Sequence, residues 1–206
     1  MAVKRSHRRE RQAAATRHDI LMAARSLFAE HGYVATSMST IADAADTAVQ
    51  TIYDSVGPKR SILLALVAMS EEEAGVAEFR DRLMQTQDPR AVLALWVNMT
   101  RQFMDRGADI FVAIQSALAT EPDVAAAFDE AKRNHQMGAR HVGALLQRLD
   151  ALAPGLSAGR AADILSVLTW GTTWQEFQRD HGWTLDECEN WMTTSLTRLL
   201  LRSDVA

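Results

Sequence analysis

Apolar residues recur along this chain at helical spacing almost from end to end. Between Thr16 and His31, Ile20, Leu21, Ala24, Leu27 and Phe28 mark one face of a helix, and Gly32 supplies its stop. Ser37 precedes a short segment, MSTIADAA, that buries Ile41 and Ala45. A second short helix runs from about Ala48 to Ser55 around Ile52 and Tyr53. Gly57 and Pro58 break the chain, and Pro58 suits the first turn of a helix reaching about Phe79. Asp88-Pro89 opens a helix to about Arg106, and Gly107 separates it from the segment Ile110 to Thr120. Glu121-Pro122 opens a stretch of about thirty residues that ends at Pro154-Gly155. Ser157 caps a helix running to His181-Gly182. Thr184, with Glu187 at the capping-box position, starts the last one. The pattern predicts an all-α chain of nine helices with no strand and no internal repeat.

Two short helices behind a longer one fit a helix-turn-helix. Helices this short need a shared apolar core, which Leu27, Phe28, Ile41, Ile52 and Leu63 can supply. The turn falls at Asp46-Thr47. Asp is one of the few residues besides glycine that tolerate a positive φ there, and the Thr47 hydroxyl is placed to cap the second helix.

Charge first argues against a nucleic-acid binder, since the 206 residues carry a net −4. Its distribution reverses that. Residues 1–66 hold nine basic and six acidic side chains, leaving thirteen basic and twenty acidic beyond. Arg5, Arg8, Arg9 and Arg11 crowd the first turns, where Lys and Arg gain affinity for DNA by displacing counterions from phosphates. The single cysteine, Cys188, cannot form an intramolecular disulfide, which points to a reducing, cytoplasmic compartment. No apolar run approaches the roughly 18 residues of a membrane span. No signal-peptide core follows the basic start. The chain lacks a nucleophile elbow, a P-loop, a zinc-protease motif and a dinucleotide fingerprint, so no enzyme and no cofactor is expected. His135 and His141 stand six apart, off the i, i+4 spacing of a helical metal face, so no metal is expected either.

The stretch TRHDILMAARSLFAEHGYVATSMSTIADAADTAVQTIYDSVGPKRSILLAL resembles the DNA-binding domain of the TetR family of bacterial regulators. Ile20, Ala23, Ala24, Leu27, Phe28, Gly32, Tyr33, Thr36, Ile41, Ala42, Ala45, Thr51, Ile52, Tyr53, Lys59 and Leu63 carry the match. The resemblance implies that the second short helix enters the major groove, with Val49, Gln50, Thr51 and Ser55 toward the bases. Gln50 can pair bidentately with adenine, and the methyls of Val49 and Thr51 can meet thymine methyls. It implies phosphate contacts for Ser37, Thr47, Tyr53 and Lys59. Asp46, Asp54 and Val56 depart from the family pattern. An acid at Asp54 is expected to repel phosphate or favour a cytosine amino group. The reading helix has no Lys or Arg, so the cationic grip falls to an arm containing Arg5, Arg8 and Arg9, expected along or in the minor groove.

The resulting organisation is a basic flexible arm at 1–15, a helix-turn-helix domain at 16–57, and an effector-binding and dimerisation domain at 58–206. One helix-turn-helix reads too few base pairs alone, so a homodimer on a double-stranded operator is expected. The resemblance puts its interface on the last two helices. There Leu185, Cys188, Met192, Leu196 and Leu199 form a stripe with Trp191 and Leu200 beside it, facing Ala161, Ile164, Leu165, Leu168 and Gly171. For a small apolar or aromatic effector the candidates are Trp96, Met99, Phe103, Phe111, Met137, His141, Trp170, Trp174 and Phe177. The last three Trp and Phe sit at i, i+4, i+7 on a presumed single helix. The expected activity is repression relieved by effector. The alternative is a helical small-molecule-binding protein without sequence-specific DNA binding.

Overall fold

The structure is a computed structural model. It describes residues 2–73 and 75–205, apart from the side chains of residues 2–6, 8–9, 71, 73, 76–77 and 84. The described residues form ten α-helices and one π-helical turn: α1 (Ala2–His31), α2 (Met38–Ala44), α3 (Val49–Ser55), α4 (Lys59–Glu73), α5 (Val76–Gln85), α6 (Pro89–Ala117), α7 (Pro122–Arg148), α8 (Ala158–Leu168), α9 (Gly171–Gln175), the π turn (Glu176–Asp180) and α10 (Leu185–Leu200). Among these residues the only extended pairing is the bridge between Leu152 and Leu201.

The chain divides into two compact units, Met1–Met69 with Asp109–Phe128, and Ser70–Ala108 with Asp129–Ala206. This cut differs from the expected boundary at residue 58. The first unit holds α1 to α3, the start of α4, and the adjoining ends of α6 and α7. Its core joins Ile20, Ala24 and Phe28 of α1, Ile41 of α2, Ile52 of α3, Ile62, Leu63 and Leu66 of α4, and Ile110, Ala113, Ile114 and Val124. Apolar residues on α6 and α7 complete a core to which the two short helices, α2 and α3, add little by themselves. The second unit packs Val92, Leu93, Trp96 and Val97 of α6 with Ala139, Val142 and Leu146 of α7, Leu165 of α8, Trp174 of α9, and Cys188, Met192, Leu196 and Leu200 of α10.

Several boundaries differ from the sequence reading, each for a local reason. The backbone from Ala2 is one continuous helix rather than a flexible arm over 1–15. The helix expected from Pro58 to Phe79 is two helices, because Gly75 takes φ +69 between α4 and α5. Gly107 does not interrupt α6. A Cβ there would lie 3.3 Å from Ser70 Oγ, so the glycine serves close packing. Helix α7 stops at Arg148, short of Pro154. Asp150 adopts φ +51, Ala151 N–H returns to Leu146 O at 3.0 Å and Asp150 N–H to Gln147 O at 3.0 Å, a Schellman closure.

The helix expected from Ser157 to His181 is broken. Thr169 Oγ1 donates to Leu165 O (2.7 Å) and Thr173 Oγ1 to Val167 O (2.9 Å), satisfying carbonyls at the end of α8, and Trp170 is extended at ψ 148. The final helix begins as the capping box predicts, with Glu187 N–H donating to Thr184 Oγ1 and Thr184 N–H to Glu187 Oε2. Of the stripe expected at a dimer interface, Cys188, Met192 and Leu196 are buried inside the second unit, with Leu200 beside them, whereas Leu185 is half-buried and Leu199 exposed.

Candidate nucleic-acid interface

The first unit sets α3 on its core by one side chain. Ile52 is fully buried, which turns Val49, Gln50, Tyr53 and Asp54 outward, while Thr51 and Ser55 are half-buried. Tyr53 is 48% exposed, which leaves its hydroxyl open to a partner. The α2–α3 turn is closed by Asp46 at φ +48 and by Thr47 N–H donating to Ala42 O at 3.0 Å. Ser37 caps α2, its Oγ accepting from Thr40 N–H at 3.1 Å. Thr47 does not cap α3. Ala48 occupies that position, and no side chain caps the helix. On the open face Gln50 Nε2 donates to Asp54 Oδ1 at 2.9 Å, and Arg17 Nη1 donates to Ser55 O at 2.7 Å.

Lys59, expected on phosphate, has other partners. Its ammonium donates to Tyr33 O (2.9 Å) and Thr36 O (2.9 Å), with Val34 O at 3.4 Å, and lies 4.3 Å from the centre of the Tyr33 ring. Burial lowers its pKa, offset in part by the Glu121 carboxylate. Tyr33 is itself buried against Phe28 and donates through its hydroxyl to Glu121 Oε1 at 3.0 Å. Burial and that carboxylate hold its pKa above the usual phenol value. Two ion pairs run in parallel. Arg25 reaches Asp109 through two bonds of 2.6 and 2.9 Å, and Arg60 reaches Asp123 at 2.7 Å. Asp109, Glu121 and Asp123 were absent from the sequence-based site because their partners lie 63 to 88 residues away in the chain. Arg5, Arg8 and Arg9 fall among the side chains outside the described residues.

The expected effector residues do not form one set. Trp96 and Trp174 are buried in the second unit, and Met99, Phe103 and Phe177 pack partly buried against the same core. Trp96 Nε1 donates to Thr169 Oγ1 at 2.9 Å. Its ring lies 6.1 Å from Phe79 and 5.1 Å from His135, which in turn lies 5.1 Å from Trp170. The sequence reading considered His135 only as a metal ligand. It stands between two indoles with Nε2 3.2 Å from Ser166 O, so that nitrogen carries the hydrogen, and burial pushes its pKa down to about 4.

Phe111 belongs to the first unit, against Phe128 at 5.8 Å. Met137 is 52% exposed and His141 is exposed, because Ala139, Val142, Leu145 and Leu146 form the inward stripe of α7. The broken helix also separates Trp170, Trp174 and Phe177. Phe177 sits in the π turn, stacked on Trp183 at 4.5 Å and near Trp191 at 5.0 Å. A groove of about 430 Å³ in the second unit is lined by Glu72, Gly75, Glu78, Phe79, Arg82, Leu95, Asn98, Met99, Gln102 and Arg106. Of the expected effector residues it includes only Met99.

The family model described as "Bacterial regulatory proteins, tetR family" matches residues 20–66, which cover α2, α3 and most of the apolar positions of the first unit's core. The match covers the N-terminal segment, which is thus similar to the N-terminal domain of tetR-family regulatory proteins. No curated protein matches it by sequence. Solved structures match its fold nearly end to end. NalD of Pseudomonas aeruginosa, the secondary repressor of the MexAB-OprM multidrug efflux pump, is 19% identical and superposes with a TM-score of 0.75 over 94% of this chain and 99% of that one. SmeT, solved as a triclosan complex, is 18% identical with a TM-score of 0.74 over 93% and 94% of the two chains. A transcriptional regulator from Saccharomonospora viridis in complex with choline is 18% identical, with a TM-score of 0.75 over 91% and 98%. Such identities establish the TetR-family fold. The matched segment contains α2 and α3 and is followed by a helical C-terminal region. No helix among the described residues is long and apolar enough to cross a membrane.

Proposed function

We propose that the chain is a dimeric, cytoplasmic repressor that holds an inverted-repeat operator through two copies of α3 and releases it when a small apolar or aromatic effector binds the second unit. The observation that carries this reading is the outward face of α3. Val49, Gln50 and Tyr53 stand exposed on a helix fixed from beneath by the buried Ile52, in a TetR-type domain. Tyr53 and Ser37 are the proposed phosphate contacts, and Val49, Gln50, Thr51 and Ser55 the base contacts. Cationic grip comes from the basic start of α1. A helix about 10–12 Å across does not fit a minor groove about 6 Å wide, so this segment lies on phosphates rather than within the groove. Removing residues 1–11 therefore weakens binding and flattens its salt dependence; an unchanged salt slope refutes this part.

The dimer face is proposed on α8 and α10, but on their outer sides. Val167 is 67% exposed, Leu199 53% and Trp191 38%, whereas the inner stripe is already buried. Effector entry beside Trp96, Met99, Phe103 and Trp174 is proposed to shift α4, whose first residue, Lys59, holds the carbonyls of Tyr33 and Thr36. That changes the spacing of the two reading helices from the ~34–36 Å between successive major grooves. The triclosan and choline complexes of fold neighbours are consistent with small effectors of several kinds.

Selection of bound duplexes from a random pool by the purified full-length protein tests the reading. Enrichment of one inverted repeat supports it. A folded dimer that enriches nothing points instead to a small-molecule-binding protein without sequence-specific DNA binding.

A further inference from the structure

The acid on the reading helix has a partner that changes its meaning. Asp54 Oδ1 accepts from Gln50 Nε2 at 2.9 Å, one helical turn away, and both side chains are exposed on the face that carries Val49 and Tyr53. A carboxylate only accepts hydrogen bonds, so it holds the nitrogen end of the Gln50 amide and repels the oxygen end. The amide polarity along α3 is thereby set before any DNA arrives. One N–H is engaged by Asp54, leaving one N–H and one carbonyl oxygen for a base edge. Adenine offers one acceptor, N7, and one donor, the N6 amino group, in the major groove. Guanine offers two acceptors, N7 and O6. A Gln50 with both hydrogens free serves either purine, whereas one held by Asp54 matches adenine.

We propose that Asp54 is a positioning residue for base reading. Without touching DNA, it orients Gln50 so that each half-site is read as adenine rather than guanine at one position. This rests on the DNA-binding reading above. It explains how an acid is tolerated beside phosphates on a helix with no Lys or Arg of its own. Its negative charge opposes binding in general while its hydrogen bond sharpens discrimination.

The test is duplex selection followed by binding to single-position variants of the enriched site, using full-length wild type, Gln50→Ala, Asp54→Ala and Asp54→Glu. The substituted side chains are exposed, so folding is retained and is checked by circular dichroism. The wild type is expected to require adenine at a position that Gln50→Ala leaves unrestricted. Asp54→Ala keeps or raises overall affinity but lowers the adenine-over-guanine preference at that same position by roughly ten-fold. Asp54→Glu, which still presents a carboxylate one turn from Gln50, retains the preference. Full adenine preference in Asp54→Ala overturns the proposal, as does a Gln50-dependent position that prefers another base. A change confined to a different position also overturns it, since that marks a direct Asp54 contact. A wild type that enriches no sequence removes the DNA-binding reading and the proposal together. Enrichment by the wild type with Asp54→Ala unchanged removes the proposal alone.

Discussion

The two units differ in how completely their buried polar groups are paired. In the first, the buried Tyr33 and Thr36 and the half-buried Lys59 all have partners: a carboxylate, the Leu27 and Gly32 carbonyls, and the Tyr33 and Thr36 carbonyls. In the second, Trp174 Nε1 and Gln175 Nε2 are buried with no acceptor among the described residues, beside a broken helix and a π turn. All five tryptophans are also in the second unit. A reading surface must hold its geometry to fractions of an ångström, so full satisfaction of its polar groups suits it. Under the proposed function the second unit is the one that receives ligand, and orphaned polar groups beside a π turn suit a region that changes state.

The contrast can be broken at its strongest point first. Ile52→Ala removes the side chain that seats α3 and is expected to cost about 3–4 kcal/mol and abolish operator binding. Urea unfolding with a DNA-binding assay checks both, and retained binding at lower stability means the core does not set the reading helix.

Lowering the pH probes the second unit. Folding depresses the His135 pKa to about 4 from its ordinary 6.5, so the unfolded chain binds the proton first. Stability contributed by neutral His135 is present above pH 6.5 and is lost as pH falls toward 4, in all by about 2–3 kcal/mol. The urea midpoint is expected to fall over this window in wild type and to fall less in His135→Gln; parallel profiles refute the assignment.

Glu121→Leu deprives the buried Tyr33 hydroxyl of its acceptor and is expected to cost about 1–2 kcal/mol by urea unfolding. The smallest effect has the opposite sign. Gln175→Met replaces an amide whose buried nitrogen has no acceptor among the described residues with an apolar chain of similar size and is expected to stabilise the protein by up to about 1 kcal/mol. A loss instead of a gain there means the amide has a partner in solution, and the contrast between the units weakens.

The helix-turn-helix was legible because its signals are local. Ser37 caps α2, Asp46 tolerates its positive φ, and Ile41 and Ile52 repeat at the spacing of short packed helices. The effector set was much less legible. Its residues were grouped by periodicity along helices that the fold interrupts, as at Trp170, or turns outward, as at Met137 and His141. Spacing along one helix says which residues share a face, but not which face is covered. Thr47 shows the limit at short range, since the cap position moved by one residue to Ala48.

By itself the sequence determined that the chain is all-helical, where most helices start, and that its N-terminal segment is a TetR-type reading head. Caps, prolines, positive-φ residues and apolar period act within a few positions and need no partner from elsewhere. Only the tertiary structure decided that Asp109, Glu121 and Asp123 belong with the reading head, that His135 lies between Trp96 and Trp170, and that Cys188, Met192 and Leu196 face inward. The physical reason is the same in each case. Burial and long-range pairing depend on which surfaces meet, and a periodic pattern predicts a surface without naming its partner.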